Sequence, residues 1–292
     1  MGSHHHHHSS KNIQAAFFLN LAFTIIEIIG GLYTNSISIL SDALHDFGDS
    51  ISLGMSWFLE KYSLKKRDQV YTYGYRRFSL LSAFINSMVL IIGSIIILYE
   101  AIPRLYDPPV PDAEGMFFLA LLGIVFNGFA AYKLGSGHSM NEKVARLHLM
   151  EDILGWVGVL IISIVMQVRF LPILDPAFSI LFTLFILFRV VKNLNKTVRI
   201  FLQAKPDEVD LKKLENDILH IKNLVSFHDL HLWTMDGQYF VITIHLVVPD
   251  DLNKIDLLQL KKDLRTLLDS CSIDHATLEI ERESENCELV DC

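Results

Sequence analysis

Away from its short connecting loops, the first two thirds of this chain holds few charged residues. The whole chain has only three cysteines, Cys271, Cys287 and Cys292. So few cysteines exclude a disulfide framework and fit a reducing compartment or metal binding. No basic face of the kind that neutralises phosphates is visible, which excludes nucleic acid as a partner. Solenoid-type repeats and low-complexity tracts are missing, and so is His-Glu-x-x-His, the helical motif of zinc peptidases. Apolar residues dominate instead. At 51% hydrophobic residues and a mean hydropathy of +0.35 the chain is too apolar for an ordinary soluble protein. The net charge of −8 comes mostly from the stretch after Pro206.

Residues 1–10 are a His tag with a short serine scar and are set aside. The tag meets an apolar segment at Lys11 with no polar lead-in, so a trimmed native N-terminal extension is expected. Six stretches are long enough to cross about 30 Å of hydrocarbon at about 20 residues each. They run over 13–33, 36–59, 79–101, 114–134, 145–168 and 173–193. Lys61, Lys65, Lys66, Arg67, Arg76 and Arg77 follow the second span; Lys133, Lys143 and Arg146 join the fourth and fifth; Lys192, Lys196 and Arg199 follow the sixth. The other side has only Arg104 and Arg169. Positively charged loops stay in the cytoplasm, so both termini are expected there.

After Pro206 the pattern is that of a small soluble domain. Leu211, Leu214, Ile218 and Ile221 recur at helical spacing over 210–222. Stretches 224–234 and 239–248 alternate as strands around a turn at Asp236-Gly237, 256–270 reads as a second helix, and 276–282 as a last strand. The order αββαβ predicts a compact α+β unit of ferredoxin-like or metallochaperone-like type. Expected boundaries are a membrane domain over 11–200, a cytoplasmic domain over 201–283 and a tail over 284–292 that carries Cys287 and Cys292.

Two copies of His-x-x-x-Asp lie inside the apolar stretches, His45/Asp49 in the second span and His148/Asp152 in the fifth. Residues four apart share a helix face. A carboxylate in hydrocarbon is expensive and usually faces a partner, a cavity or an ion. Brought together, the pairs supply two nitrogens and two oxygens, which suit tetrahedral Zn²⁺, and two Asp⁻ cancel its charge. The bland alternative is a pair of helix-packing hydrogen bonds. Asp42 and Asp46 lie next to the first pair and are expected to line a hydrated path. Glu151 neighbours Asp152 and either adds to the site or bonds a neighbouring helix. Glu27 in the first span is a candidate proton-linked or gate-lining group, while Asn20, Asn86 and Asn127 suit interhelical hydrogen bonds.

Ser-Asp-Ala-Leu-His-Asp-Phe-Gly-Asp at 41–49, Tyr-Gly-Tyr-Arg-Arg at 73–77, His-Leu-Met-Glu-Asp at 148–152 and His-Asp-Leu-His-Leu-Trp at 228–233 together resemble the cation diffusion facilitator family. The likeness is to its zinc-transporter branch, and it extends from Lys11 to about Glu283. It implies a homodimeric cation/proton antiporter, not an enzyme, that exports Zn²⁺ from the cytoplasm across a bacterial inner membrane. His45, Asp49, His148 and Asp152 would be the four transport ligands. Manganese-type members tend to carry Asp at the place of His45, so imidazole here argues for Zn²⁺, with Co²⁺ or Cd²⁺ as lesser substrates. Some bacterial relatives hold an extra metal on Asp-x-x-His-x-x-x-His after the second span; here Asp68 is followed by Tyr71 and Tyr75, so that site is expected to be lost. The loop around His138 is short and not His-rich, which fits a bacterial type.

For the tail domain the resemblance implies metal binding at His228, His245, His275 and Glu281. The alternative is a set of surface histidines on a small sheet. His231 lies three positions after His228, which on a regular strand places it on the opposite face. Cys287 and Cys292 are spaced more widely than in a zinc knuckle and are candidates for a further tail ligand. His220 and Cys271 read as structural. Because Zn²⁺ needs neutral imidazole and ionised carboxylate, metal and protons compete for the same atoms. A second reading is a zinc-binding membrane sensor or scaffold without transport.

Overall fold

The computed structural model describes residues 6–63, 65–134, 140–285 and 287. Side chains are described from Phe17 onward, except at 52, 53, 56, 57, 60, 61, 63, 133, 134 and 140–148. Six long helices come first: α1 (His6–Thr34), α2 (Ile37–Ser63), α3 (Phe78–Arg104), α4 (Ala113–Leu134), α5 (Met140–Val168) and α6 (Leu174–Phe201). Then follow α7 (Leu211–Leu219), β1 (Ser226–Thr234), β2 (Phe240–Val248), α8 (Lys254–Ser270) and β3 (Ile273–Arg282). The αββαβ order of the tail matches the sequence reading. Five of the long helices are long and apolar enough to cross a membrane. The sixth, α2, is diluted by Asp42, Asp46 and Asp49, but its 27 residues reach about 40 Å at about 1.5 Å each.

The chain divides into two compact units. One comprises residues 1–61 and 81–194, the other residues 62–80 and 195–292. The boundary thus falls inside α6, and the loop after α2 belongs with the tail domain.

In the helical unit, α1, α4 and α5 meet around Trp156, which is fully buried. Phe23 of α1 stacks on Phe126 of α4, with ring centroids 4.5 Å apart, and sets its edge to Trp156. A Cβ on Gly123 would lie 2.4 Å from the Trp156 ring, so only glycine lets α4 approach α5 this closely. Polar contacts join α2 to α6. The buried Asp175 carboxylate accepts from Ser36 Oγ at 2.6 Å and from the backbone amides of Ile37 and Ser38 at 2.8 and 3.2 Å. These are first-turn amides that α2 cannot satisfy internally, and an anion there also complements the helix dipole. Further along, Ser179 Oγ donates to the Ile37 carbonyl, and Ser41 and Thr183 bond at 2.8 Å.

In the second unit a three-stranded sheet has order β1-β2-β3, with β1/β2 antiparallel and β2/β3 parallel through α8. Phe240, Ile242, Ile244, Leu246 and Val248 alternate along β2 into a core with Leu214 and Ile218 of α7 and Leu260, Leu264 and Leu268 of α8. Both helices are capped in the expected way, by Asp210 and Asn253.

The loop after α2 is knotted by Asp68, whose carboxylate accepts from the amides of Val70 and Tyr71, from the Tyr75 hydroxyl at 2.6 Å and from Lys65. The Tyr71 amide, the Tyr75 hydroxyl and the Val70 amide hold the carboxyl well below the usual range. Tyrosine hydroxyl and backbone thus occupy the Asp68 carboxylate. The same loop touches the sheet, with Arg76 3.3 Å from Asp236 and over the Tyr239 ring.

Asp175 holds the helix that carries His45 and Asp49. Asp175→Asn is expected to cost about 1–3 kcal/mol, seen as a fall of several degrees in the thermal midpoint of the detergent-solubilised protein.

Candidate metal centres

Asp42, His45, Asp46 and Asp49 fall three or four residues apart on α2 and so share one face. Asp42 and Asp46 are buried, whereas His45 and Asp49 are 17% and 18% exposed at their side chains. His45 Nε2 lies 3.5 Å from Asp49 Oδ2, so the expected i,i+4 pair forms. Asp152 of α5 is 3% exposed. Helices α2 and α5 approach closely, since a Cβ on Gly155 would lie 3.3 Å from Asp42 Oδ1. His148 is on α5, but its side chain lies outside the described residues.

Glu27 of α1 faces this group and is 1% exposed. Its carboxyl meets that of Asp46, with no partner of ordinary hydrogen-bond geometry on either among the described residues. Asp42 and Asp152 act on both of them, and Asp49 on Asp46. Four carboxylates from three helices therefore lie within electrostatic range of Asp46. No lysine or arginine is among the described groups acting on Glu27 or Asp46. Asn20 ties α1 to this face, donating to the Asp46 carbonyl at 2.9 Å and to Ser50 Oγ at 3.1 Å. Asn127, in contrast, donates within its own helix to Gly123. Glu151 is engaged elsewhere, in an ion pair with Arg189 of α6. The hydrogen bond to a neighbouring helix is thus the alternative realised. A cavity of about 10 Å³ beside His45 is lined by the hydroxyls of Ser41, Ser94 and Thr183, room for one water.

The second cluster sits on the sheet face away from α7 and α8. His228, His245, Glu281 and Cys287 offer one donor atom each, all within 4.8 Å of one another. His245 Nδ1 is 2.7 Å from Glu281 Oε1 and 3.6 Å from Cys287 Sγ, and His228 Nε2 is 3.3 Å from Glu281 Oε2. That His228 nitrogen is buried and has no hydrogen bond among the described residues. Burial pushes the Glu281 carboxyl up, but hydrogen bonds from Cys287 and His245 and the charges of His228 and His245 outweigh it, holding it below its ordinary value. A buried nitrogen without a hydrogen bond, facing a carboxylate and a thiol at this spacing, fits Zn²⁺. The thiolate and carboxylate would balance its charge, and two imidazoles would complete a tetrahedron.

His275 is not brought to this cluster. In the parallel register it pairs with Val241, and Glu279 pairs with His245. Four residues along β2 amount to about 13 Å, so His275 stands clear and meets Tyr73 edge to face. Cys287 is the fourth member instead. Beyond β3 the chain turns back: Ser284 bonds Asp250 through both its amide and its hydroxyl, and Arg282 Nη1 donates to the carbonyls of Pro249 and Leu252. That turn returns Cys287 to the sheet. Cys292 lies outside the described residues.

His231 departs from the regular-strand reading. His228 pairs with His245, but His231 pairs with Thr243. Three steps on β1 thus match two on β2. The extra residue is a bulge at Asp229, whose φ is 47°, and it returns His231 to the face of His228. Asp229, Asp175 and Arg189 were all missed in the sequence. A carboxylate just inside a span's start (Asp175) and an arginine within a span (Arg189) were signals in principle. A bulge leaves no comparable mark in a strand pattern.

Known proteins resemble the chain over nearly its full length. The model of the cation efflux transmembrane domain matches residues 13–202, and that of the cation efflux protein cytoplasmic domain matches residues 206–283. The metal cation efflux system protein CzcD of Cupriavidus metallidurans is 34% identical over 93% of this chain and 86% of its own. A cadmium, cobalt and zinc/H⁺-K⁺ antiporter of Bacillus subtilis is 32% identical over 97% and 93%. Zinc transporter ZitB of Yersinia pestis is 32% identical over 97% and 90%. Together with a carboxylate-rich face inside a bundle of apolar helices, these matches give the conclusion that the chain belongs to the cation efflux family, as an integral membrane transporter of metal cations with a C-terminal cytoplasmic domain.

Proposed function

We propose that the protein exports Zn²⁺ from the cytoplasm in exchange for protons. It does so as a homodimer in a bacterial inner membrane, with both termini cytoplasmic. The observation that carries this is the set of five carboxylates around Asp46, gathered from α1, α2 and α5 with no lysine or arginine among the described groups acting on Glu27 or Asp46. Such a gathering of carboxyl groups among apolar helices calls for a cation. His45, Asp49, His148 and Asp152 are the proposed transport ligands. The relatives named for zinc, cadmium and cobalt support Co²⁺ and Cd²⁺ as further substrates.

Coupling follows from the chemistry of the ligands. Zn²⁺ binds ionised carboxylate and neutral imidazole, so each proton taken up at His45 or Asp49 displaces metal and each metal bound releases protons. Glu27, Asp42 and Asp46 lie next to the ligands and would relay protons or line the path. Glu151 is withheld from the ligand set by Arg189. Access alternates by rocking of helices about the site, and α2 and α6 would move together because Asp175, Ser179 and Thr183 join them.

In the cytoplasmic domain, His228, His245, Glu281 and Cys287 would hold a resident Zn²⁺. Bound there, the ion would pin the returning tail to the sheet and neutralise Glu281 and the Cys287 thiolate.

In proteoliposomes, Zn²⁺ flux is expected to rise with an imposed pH gradient and to disappear in Asp49→Ala. Flux indifferent to the gradient, or driven by K⁺ alone, would overturn proton exchange. Expression of the tag-free chain is expected to confer zinc tolerance on a zinc-sensitive bacterium, and Asp152→Ala to abolish it. No tolerance, with zinc still bound by the purified protein, would identify the sensor or scaffold instead.

A further inference from the structure

We propose that Asp229 is a positioning residue that aims His245 at the cytoplasmic metal. This rests on the reading of His228, His245, Glu281 and Cys287 as a zinc site. Asp229 has φ 47°, the left-handed region that a β-bulge of this kind ordinarily gives to glycine. Backbone preference alone would therefore select glycine. The aspartate is explained by what its carboxylate does.

That carboxylate is 11% exposed and lies between two imidazoles. Oδ1 meets His231 Nε2 at 2.7 Å, and Oδ2 lies 3.5 Å from His245 Nε2. The other nitrogen of His245, Nδ1, faces Glu281 and Cys287. A proton held on Nε2 by the Asp229 carboxylate would leave the Nδ1 lone pair to the metal. A metal-bound imidazole characteristically donates its second N–H to a carboxylate, which fixes its tautomer and orientation. Glu279 Oε2 also lies 3.4 Å from Nε2, but its side chain is 65% exposed and correspondingly unconstrained. His231 holds the far oxygen of Asp229. The bulge makes this row possible, because without it His231 would turn into the core.

The test is Co²⁺ titration of the tag-free full-length protein in detergent, read by the thiolate-to-Co²⁺ charge-transfer band. Cys287 is the thiol expected to supply that band, and Cys287→Ser should remove it. Asp229→Gly suits the left-handed backbone, so it is expected to keep or raise the metal-free thermal midpoint. It is also expected to weaken Co²⁺ binding at this band by about 10- to 100-fold. Asp229→Asn keeps the backbone angle and an acceptor but loses the charge, and is expected to fall between. Wild-type affinity in Asp229→Gly would overturn the proposal; if that variant does not fold, unchanged affinity in Asp229→Asn does so. A wild-type protein without the Cys287-dependent band would overturn the metal reading beneath it, and the proposal with it.

Discussion

Ionised carboxylates cannot rest against hydrocarbon, and α2 carries Asp42, Asp46 and Asp49 on one side. The arrangement of the helical unit follows from that constraint. Asp42 and Asp46 are buried among helices, and Glu27 and Asp152 turn toward them from α1 and α5. Beside apolar packing at Ile37, Leu40 and Leu44, α2 also has polar contacts, with Asp175, Ser179 and Thr183 of α6 along its first turns. A helix bound by hydrogen bonds rather than by apolar packing alone keeps its register, because each bond has one satisfactory partner. The pair at His45 and Asp49 inherits that register. These are also the more accessible members of the face.

The cytoplasmic unit solves a different problem. A three-stranded sheet with two helices covers one face, leaving the other polar. On that polar face the strands place His228, His245 and Glu281 side by side, and a turn held by Asp250 and Arg282 adds Cys287. The donor set is thus built from three strands and a returning tail, so a metal there would tie the chain end to the centre of the sheet. Tyr73 and Arg76 of the loop after α2 rest on the same small unit. The Tyr-Gly-Tyr-Arg-Arg motif thereby has a structural task within it.

Much of the site was readable before any coordinates. Hydrophobic runs gave six spans, and helical spacing alone put His45 beside Asp49. The αββαβ order followed from periodicity and the turn at Asp236-Gly237. Resemblance drew attention to His228, His245 and Glu281, which lie side by side in the structure. It also drew in His275, which a parallel register carries about 13 Å away. Register between strands joined by a helix is not written in either strand, so no inspection of residues 273–282 would have placed it. Glu151 was undecidable for a related reason, because its partner Arg189 is 38 residues away on another helix.

By itself, then, the sequence determined whatever depends on local period and on the cost of burial. It set which segments are apolar enough to span, which face of α2 is charged, which residue types could hold a divalent cation, and the order of the tail's elements. Tertiary structure alone decided the long-range pairings: Asp175 at the start of α2, Glu151 with Arg189, Cys287 in place of His275, and His231 returned to the face of His228. The last turns on one residue. A single inserted step at Asp229, in a backbone region that its neighbours do not signal, reverses the facing of every later side chain on β1. Alternation patterns carry period but not phase, and phase is set where strands meet.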